Sequence, residues 1–205
     1  MINTPIIVFD LGGVLINLNV ERCIGQFREL MGDANMQAVL GLGSDGEGVS
    51  AVSVASRQLM ADFERGRISS QFFLGEIQRF CLPGTTISRI ADAWMSMLDK
   101  LPQERLDYLE RLKAQGHHLY LLSNGNDLHF DYINRTYHLD RYFERMFLSQ
   151  RMHLAKPDPA IFREVDAAIN PNHEPVIFID DLPQNRLAAE AAVHWRTFSD
   201  INVNL

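Results

Sequence analysis

Apolar positions along the chain follow two rhythms, and the switch between them divides it into parts. Ile6-Ile7-Val8-Phe9 is an unbroken, largely β-branched run that stops on Asp10, with Gly12-Gly13 just beyond. A run without polar alternation reads as a strand buried on both faces. After Val14-Leu15-Ile16 the spacing becomes helical. Val20, Ile24, Phe27 and Leu30-Met31 share one face, Asn19 offers an N-cap, and Gly32 offers a stop. Met36 to Leu42 predicts a short second helix, and Val52 to Phe63 predicts a third that ends at Gly66. Ser69 or Ser70 caps a helix carrying Phe72, Phe73, Ile77 and Phe80. After a Pro83-Gly84 turn, Ile87, Ile90, Trp94, Met97 and Leu98 form one more stripe. Residues 17–98 therefore read as a helical insert with no strand signal, and their Met and aromatic stripes as helix core. Gly41 to Gly48 follows no strand and holds no Lys, so it reads as a flexible connector rather than a phosphate cradle.

From Pro102 onward helix and strand alternate. Pro102 suits a first helical position, Leu106, Leu109 and Leu112 form the buried face, and Gly116 ends the helix. His117-His118 read as loop, and Leu119-Tyr120-Leu121-Leu122 as a strand ending in Ser123-Asn124-Gly125. A helix follows from Asp127 to about Tyr137. Phe143 to Leu148 is a strand whose Glu144 and Arg145 place it toward the sheet edge. Asp158 caps and Pro159 opens a helix bearing Phe162, Val165 and Ile169. Val176-Ile177-Phe178-Ile179 is a buried strand that stops on Asp180-Asp181. Pro183 starts the next helix, and Arg196-Thr197-Phe198 is a last edge strand. This order predicts an α/β fold: a three-layer, Rossmann-like parallel sheet built from residues 1–16 and 99–205, with a helical unit over 17–98 inserted after the first strand.

That architecture changes what the polar residues mean. A single Asp10 at a strand end either caps a turn or faces a ligand. Right-handed parallel connections, however, bring Asp10, Ser123-Asn124 and Asp180-Asp181 to one sheet edge. Crowded carboxylates repel one another, so a divalent cation is expected, and oxygen donors without His or Cys suit Mg²⁺. The net charge of −7 and pI near 5.4 argue against nucleic acid as a partner. Cys23 and Cys81 belong to no Cys-x-x-Cys or Cys/His cluster and read as core thiols of a reduced protein. No apolar stretch is long enough to span a bilayer, and no basic leader precedes the first strand, so a cytoplasmic protein is expected.

At these residues the chain resembles the haloacid dehalogenase superfamily of phosphotransferases. Asp10 lies within FDLGGVL, Ser123 within LYLLSN, Lys156 within AKPDPAIF, and Asp180-Asp181 within VIFIDD. The helical insert is similar to that superfamily's type-one cap. FERGRIS, LKAQGHHLYLLSN and LAKPDPAIF look like its bacterial sugar-phosphate phosphatases, such as the α-glucose-1-phosphate phosphatase group. The resemblance implies that Asp10 attacks phosphorus to form an aspartyl-phosphate. It implies that Mg²⁺ is held by Asp10, the Gly12 carbonyl, Asp180 and Asp181. Ser123, with Asn124 or nearby backbone N–H groups, would bind phosphoryl oxygens. Lys156 would bond both Asp10 and the phosphate of a small phosphorylated metabolite. Asp180 and Asp181 stand unranked as ligands. Asn185 either orients one of them or lies on a helix surface.

One position departs from the pattern. Most phosphatases of that superfamily carry an acid-base Asp two residues past the nucleophile, where this chain has Gly12. A positioned acid-base contributes about 10²–10⁴ in rate. Its loss leaves a phosphatase with undemanding leaving groups, one whose proton comes from the cap or the substrate, or a phosphate-ligand binding protein with little turnover. Dehalogenase chemistry tolerates Gly12, but the Asp180-Asp181 pair would repel its carboxylate substrate. His129 is the histidine to place near the site, with packing in the fold as the other reading. Cap residues between Gly41 and Arg67 are expected to choose the substrate.

Overall fold

A computed structural model describes residues 5–40 and 51–201. The glycine-rich stretch from Gly41 to Gly48 lies outside the described residues. β1 (Ile6–Phe9) is the middle strand of a five-stranded sheet. It is flanked on one side by β2 (His118–Ser123) and then β3 (Arg145–Leu148), and on the other by β4 (Val176–Ile179) and then β5 (Arg196–Phe198). Every pairing is parallel. Successive side chains of β1 point to opposite faces, and both faces are covered, which is why its sequence shows no alternation. Ile7 and Phe9 pack with Leu119, Leu121, Ile177 and Ile179 under α6 (Gln103–Ala114) and α7 (Asp127–Tyr137). Ile6 and Val8 pack with Leu122, Val176 and Phe178 under α9 (Pro159–Ile169) and α10 (Pro183–Val193). This is the expected three-layer α/β arrangement.

The helices between β1 and α6 have a core of their own. α1 (Val20–Met31), α2 (Asp33–Leu40), α3 (Ala51–Glu64), α4 (Ser70–Gln78) and α5 (Ile87–Met95) bury Phe27, Leu30, Met31, Phe63, Phe73, Ile77 and Ile90 together. Phe63 stacks on Phe73 with centroids 4.0 Å apart, and Trp94 meets Phe73 edge-on at 4.9 Å. The chain leaves and re-enters the sheet unit through two paired segments: Asn17 N–H donates to Lys100 O, Asp99 N–H to Asn17 O, and Asn19 N–H to Met97 O.

Most local signals act as their chemistry predicts. Asn19, Ser69 and Asp158 cap helices through their side chains, and Pro159 and Pro183 open theirs. Of Ser69 and Ser70, Ser69 is the cap. Pro102 differs: it occupies the N-cap and makes no side-chain cap bond, so the helix begins at Gln103. His118 is also not loop. It is the first residue of β2, set beside Ile6, with Nδ1 2.6 Å from Glu144. The one-turn helix α8 (Ser149–Met152), directly after β3, had no signal in the apolar pattern. Both cysteines are free, Cys23 buried and Cys81 partly so.

Candidate active site

The site lies where β1, β2 and β4 run out. Asp10 N–H still bonds Ile179 O at 2.8 Å, so the acid sits one residue past the ladder with its backbone held by the neighbouring strand. Asp180 is anchored in the same way to Phe198 O at 3.0 Å. Between the two acids stands Lys156, whose Nζ lies 2.9 Å from Asp10 Oδ1 and 2.6 Å from Asp180 Oδ2. A third bond, 2.9 Å to Leu122 O, completes its three donors. All three side chains are buried. Isolating such charges from water costs several kcal/mol per ion, which only tight pairing offsets.

The carboxylates divide by what they already bond. Asp180 accepts from Lys156, from Leu182 N–H and from Asn185 Nδ2, which reaches both of its oxygens at 3.0 and 3.1 Å. Asn185 is therefore an orienting residue, and a buried one. Asp10 Oδ1 takes Lys156 and Leu11 N–H at 2.7 Å; Oδ2 has no hydrogen-bond partner among the described residues. Asp181 is exposed and lies against Gly13. A Cβ on Gly13 would fall 2.5 Å from Asp181 Oδ2, and its φ is +77°, so glycine is required there on both counts.

Asp10, Asp180 and Asp181 each offer an oxygen within 4.8 Å of the others. This hard, all-oxygen donor set fits Mg²⁺, with the Gly12 carbonyl in the adjoining turn. The charges respond accordingly. Burial pushes the Asp10 carboxyl up to about 6; Lys156 opposes that shift and Asp180 adds to it. Burial would strip the proton from Lys156, but Asp10 and Asp180 together outweigh it and hold the ammonium above its ordinary value. Burial, then Asp180, also raises Asp181. This is a site short of positive charge.

The remaining sequence candidates are nearby. Ser123 is buried at the end of β2, and its hydroxyl makes only a long 3.3 Å bond to Asn124 O. Asn124 clamps Lys156 by its main chain, Oδ1 accepting Lys156 N–H and Nδ2 donating to Lys156 O, both at 2.8 Å. His129 is packed. Its ring stacks on Trp94 at 5.4 Å, Nε2 bonds Trp94 O at 3.1 Å, and Nδ1 faces Asn126 Nδ2. Burial lowers its pKa, which favours the neutral ring.

A cavity of about 630 Å³ opens from Gly12, Ser123 and Asn124 and runs beneath the inserted helices, bounded by Leu18, Met60, Trp94 and Met97. Glu64, Ser149 and Gln150 border this region and had not been singled out in the sequence. Ser149 Oγ accepts Gly125 N–H at 3.0 Å and donates to Glu64 O at 2.6 Å, tying the end of α3 to the strand edge. Its only sequence signal was its place directly after an edge strand. For Glu64 the signal was its place in FERGRIS.

A parallel α/β sheet thus carries a carboxylate cluster and a buried lysine at its strand ends. The family model for haloacid dehalogenase-like hydrolases matches residues 4–192, and the chain belongs to that family. It is 24% identical over 188 residues to a D-ribitol-5-phosphate phosphatase of Bacteroides thetaiotaomicron, covering 87% of this chain and 84% of that one. A family enzyme from the same organism, solved with magnesium and inorganic phosphate, superposes with a TM-score of 0.77 at 33% identity over 96% of this chain and 93% of that one. A predicted HAD-like family hydrolase from Porphyromonas gingivalis gives 0.76 at 31%, covering 98% and 93%.

Proposed function

We propose that this protein is a Mg²⁺-dependent phosphatase of small phosphorylated metabolites such as sugar phosphates, working through Asp10. The observation that carries the reading is the Asp10–Lys156–Asp180 bridge at 2.9 and 2.6 Å, with Asp181 close enough to share a cation. In this reading Asp10, the Gly12 carbonyl, Asp180 and Asp181 would hold Mg²⁺, and the ion would supply charge neutralisation for the transferring group. Asp10 Oδ2, free of hydrogen bonds among the described residues, attacks phosphorus while Oδ1 stays fixed by Lys156 and Leu11 N–H. Ser123 Oγ turns its proton to a phosphoryl oxygen. Lys156, its donors all held by protein atoms, acts on the phosphate through its charge, and Asn124 keeps it in place. The inserted helices, residues 17–98, serve as a type-one cap over the cavity. The free thiols fit a reducing, cytoplasmic setting.

Gly12 favours a second reading, a phosphate-ligand binding protein with little turnover. Phosphate release from p-nitrophenyl phosphate and from a panel of sugar phosphates separates the two. The phosphatase reading expects release with Mg²⁺ that disappears in EDTA and in Asp10→Asn. Mg²⁺-dependent ligand binding without release above background would support the binding protein instead.

A further inference from the structure

We infer that Glu64, at the end of α3, is the proton donor and acceptor that position 12 lacks. The inference rests on the phosphatase reading and names the group that completes its chemistry. Gly12 leaves no acid beside the leaving oxygen. A Cβ there would meet Leu18 Cδ1 at 3.0 Å, so the space an Asp side chain would need is already contested. Among the described residues that bound the cavity, Glu64 is the one carboxylate. The neighbouring His129 is excluded by its bonds: one ring nitrogen is held by Trp94 O, the other faces Asn126.

Glu64 is attached to the core rather than hanging over it. Its carbonyl accepts Ser149 Oγ at 2.6 Å, and Arg65 O lies 2.8 Å from His153 Nδ1. Gly66 presses so closely on Gln150 O that a Cβ would come within 2.0 Å. The Glu64 carboxylate lies near enough to the side chain of Asn124, the residue that grips Lys156, for that amide to favour its ionised form. It thus faces the phosphoryl site from the cap side, where a leaving group in the cavity would lie. The charged groups facing it are Arg65 from its own turn and Lys156 from the core, and both favour ionisation. Burial outweighs them and raises the Glu64 pKa, the direction that suits a proton donor.

The steps balance. Asp10 oxygen bonds phosphorus as the P–O bond to the leaving alcohol breaks, and that oxygen takes the Glu64 proton. Water then bonds phosphorus and gives a proton back to Glu64. The Asp10–phosphorus bond breaks, releasing inorganic phosphate and restoring both carboxyl groups to their starting states.

The test compares an alkyl leaving group, β-glycerophosphate, with one that leaves unprotonated, p-nitrophenyl phosphate, in Mg²⁺. Glu64→Gln should lose about 10²–10⁴ in kcat/KM toward β-glycerophosphate and less than about tenfold toward p-nitrophenyl phosphate. With the aryl ester the variant should also accumulate one phosphoryl group per chain, visible by intact mass and absent from Asp10→Asn. Equal losses on both esters, or none on either, would overturn the assignment while wild-type activity kept the phosphatase reading intact. If Glu64→Gln fails to fold, a leaving-group series on the wild type decides. A shallow dependence on leaving-group pKa supports Glu64, and a steep one overturns it. A wild type that releases no phosphate and acquires no phosphoryl group removes both readings at once.

Discussion

Lys156 places its three ammonium protons on Asp10, Asp180 and the Leu122 carbonyl, so its first task is to let two carboxylates share a dry site. Replacing it with Met keeps the bulk and leaves two buried anions unpaired. Lys156→Met should therefore lower stability by about 3–5 kcal/mol in urea denaturation, and phosphate release should fall to background. Adding Mg²⁺ should recover part of the lost stability, since the cation answers the same excess of negative charge. At this scale the sequence was informative wherever a strand ended on a polar residue: Asp10, Ser123 and Asp180 were legible because a buried apolar run has no structural use for them. Lys156 could be placed near that edge from the order of elements, but its role came through the resemblance. Asn185 was ambiguous because its helix position permits either face, and only its two bonds to Asp180 settle the matter. Glu64 looked like any acid closing an amphipathic helix.

Among the elements, the contact between the end of α3 and α8 decides how the inserted helices meet the sheet. Gly66 has φ +63° and lies against the Gln150 carbonyl, so a methyl group there meets both backbone strain and a steric block. Gly66→Ala should cost at least about 1–3 kcal/mol in this contact. Hydrogen exchange should quicken in α3 and α4 while β1 stays protected. Phosphate release should fall in the same variant because Glu64 loses its anchor. Helix faces and caps in this region were readable from spacing, including Asn19 and Ser69. The docking was not, because Ser149, Gln150 and His153 are far away in sequence from the segment they hold.

For the molecule as a whole, cation and proton compete for one cluster. Asp10 titrates near 6 in the folded protein against 3.8 for the ordinary group, so without a cation the folded state holds more protons between those values. Its stability contribution therefore falls as pH rises through that window and stays low above it. Mg²⁺ should reverse this. The Tm increment on adding Mg²⁺, read by scanning calorimetry, should be largest at pH about 7 and shrink as pH drops through about 6, where protons displace the ion. Asp10→Asn should flatten that dependence. What the sequence by itself determined was local or periodic: which runs are strands buried on two faces, which stripes are helix core, and where carboxylates end strands. Parallel right-handed connections then placed those ends on one edge, because few other topologies satisfy both buried faces. Only the tertiary structure decided which lone pairs are already bonded, that Lys156 bridges two acids, and that Glu64 borders the same cavity as Gly12. Those facts depend on distances between residues remote in sequence, and burial sets their electrostatics.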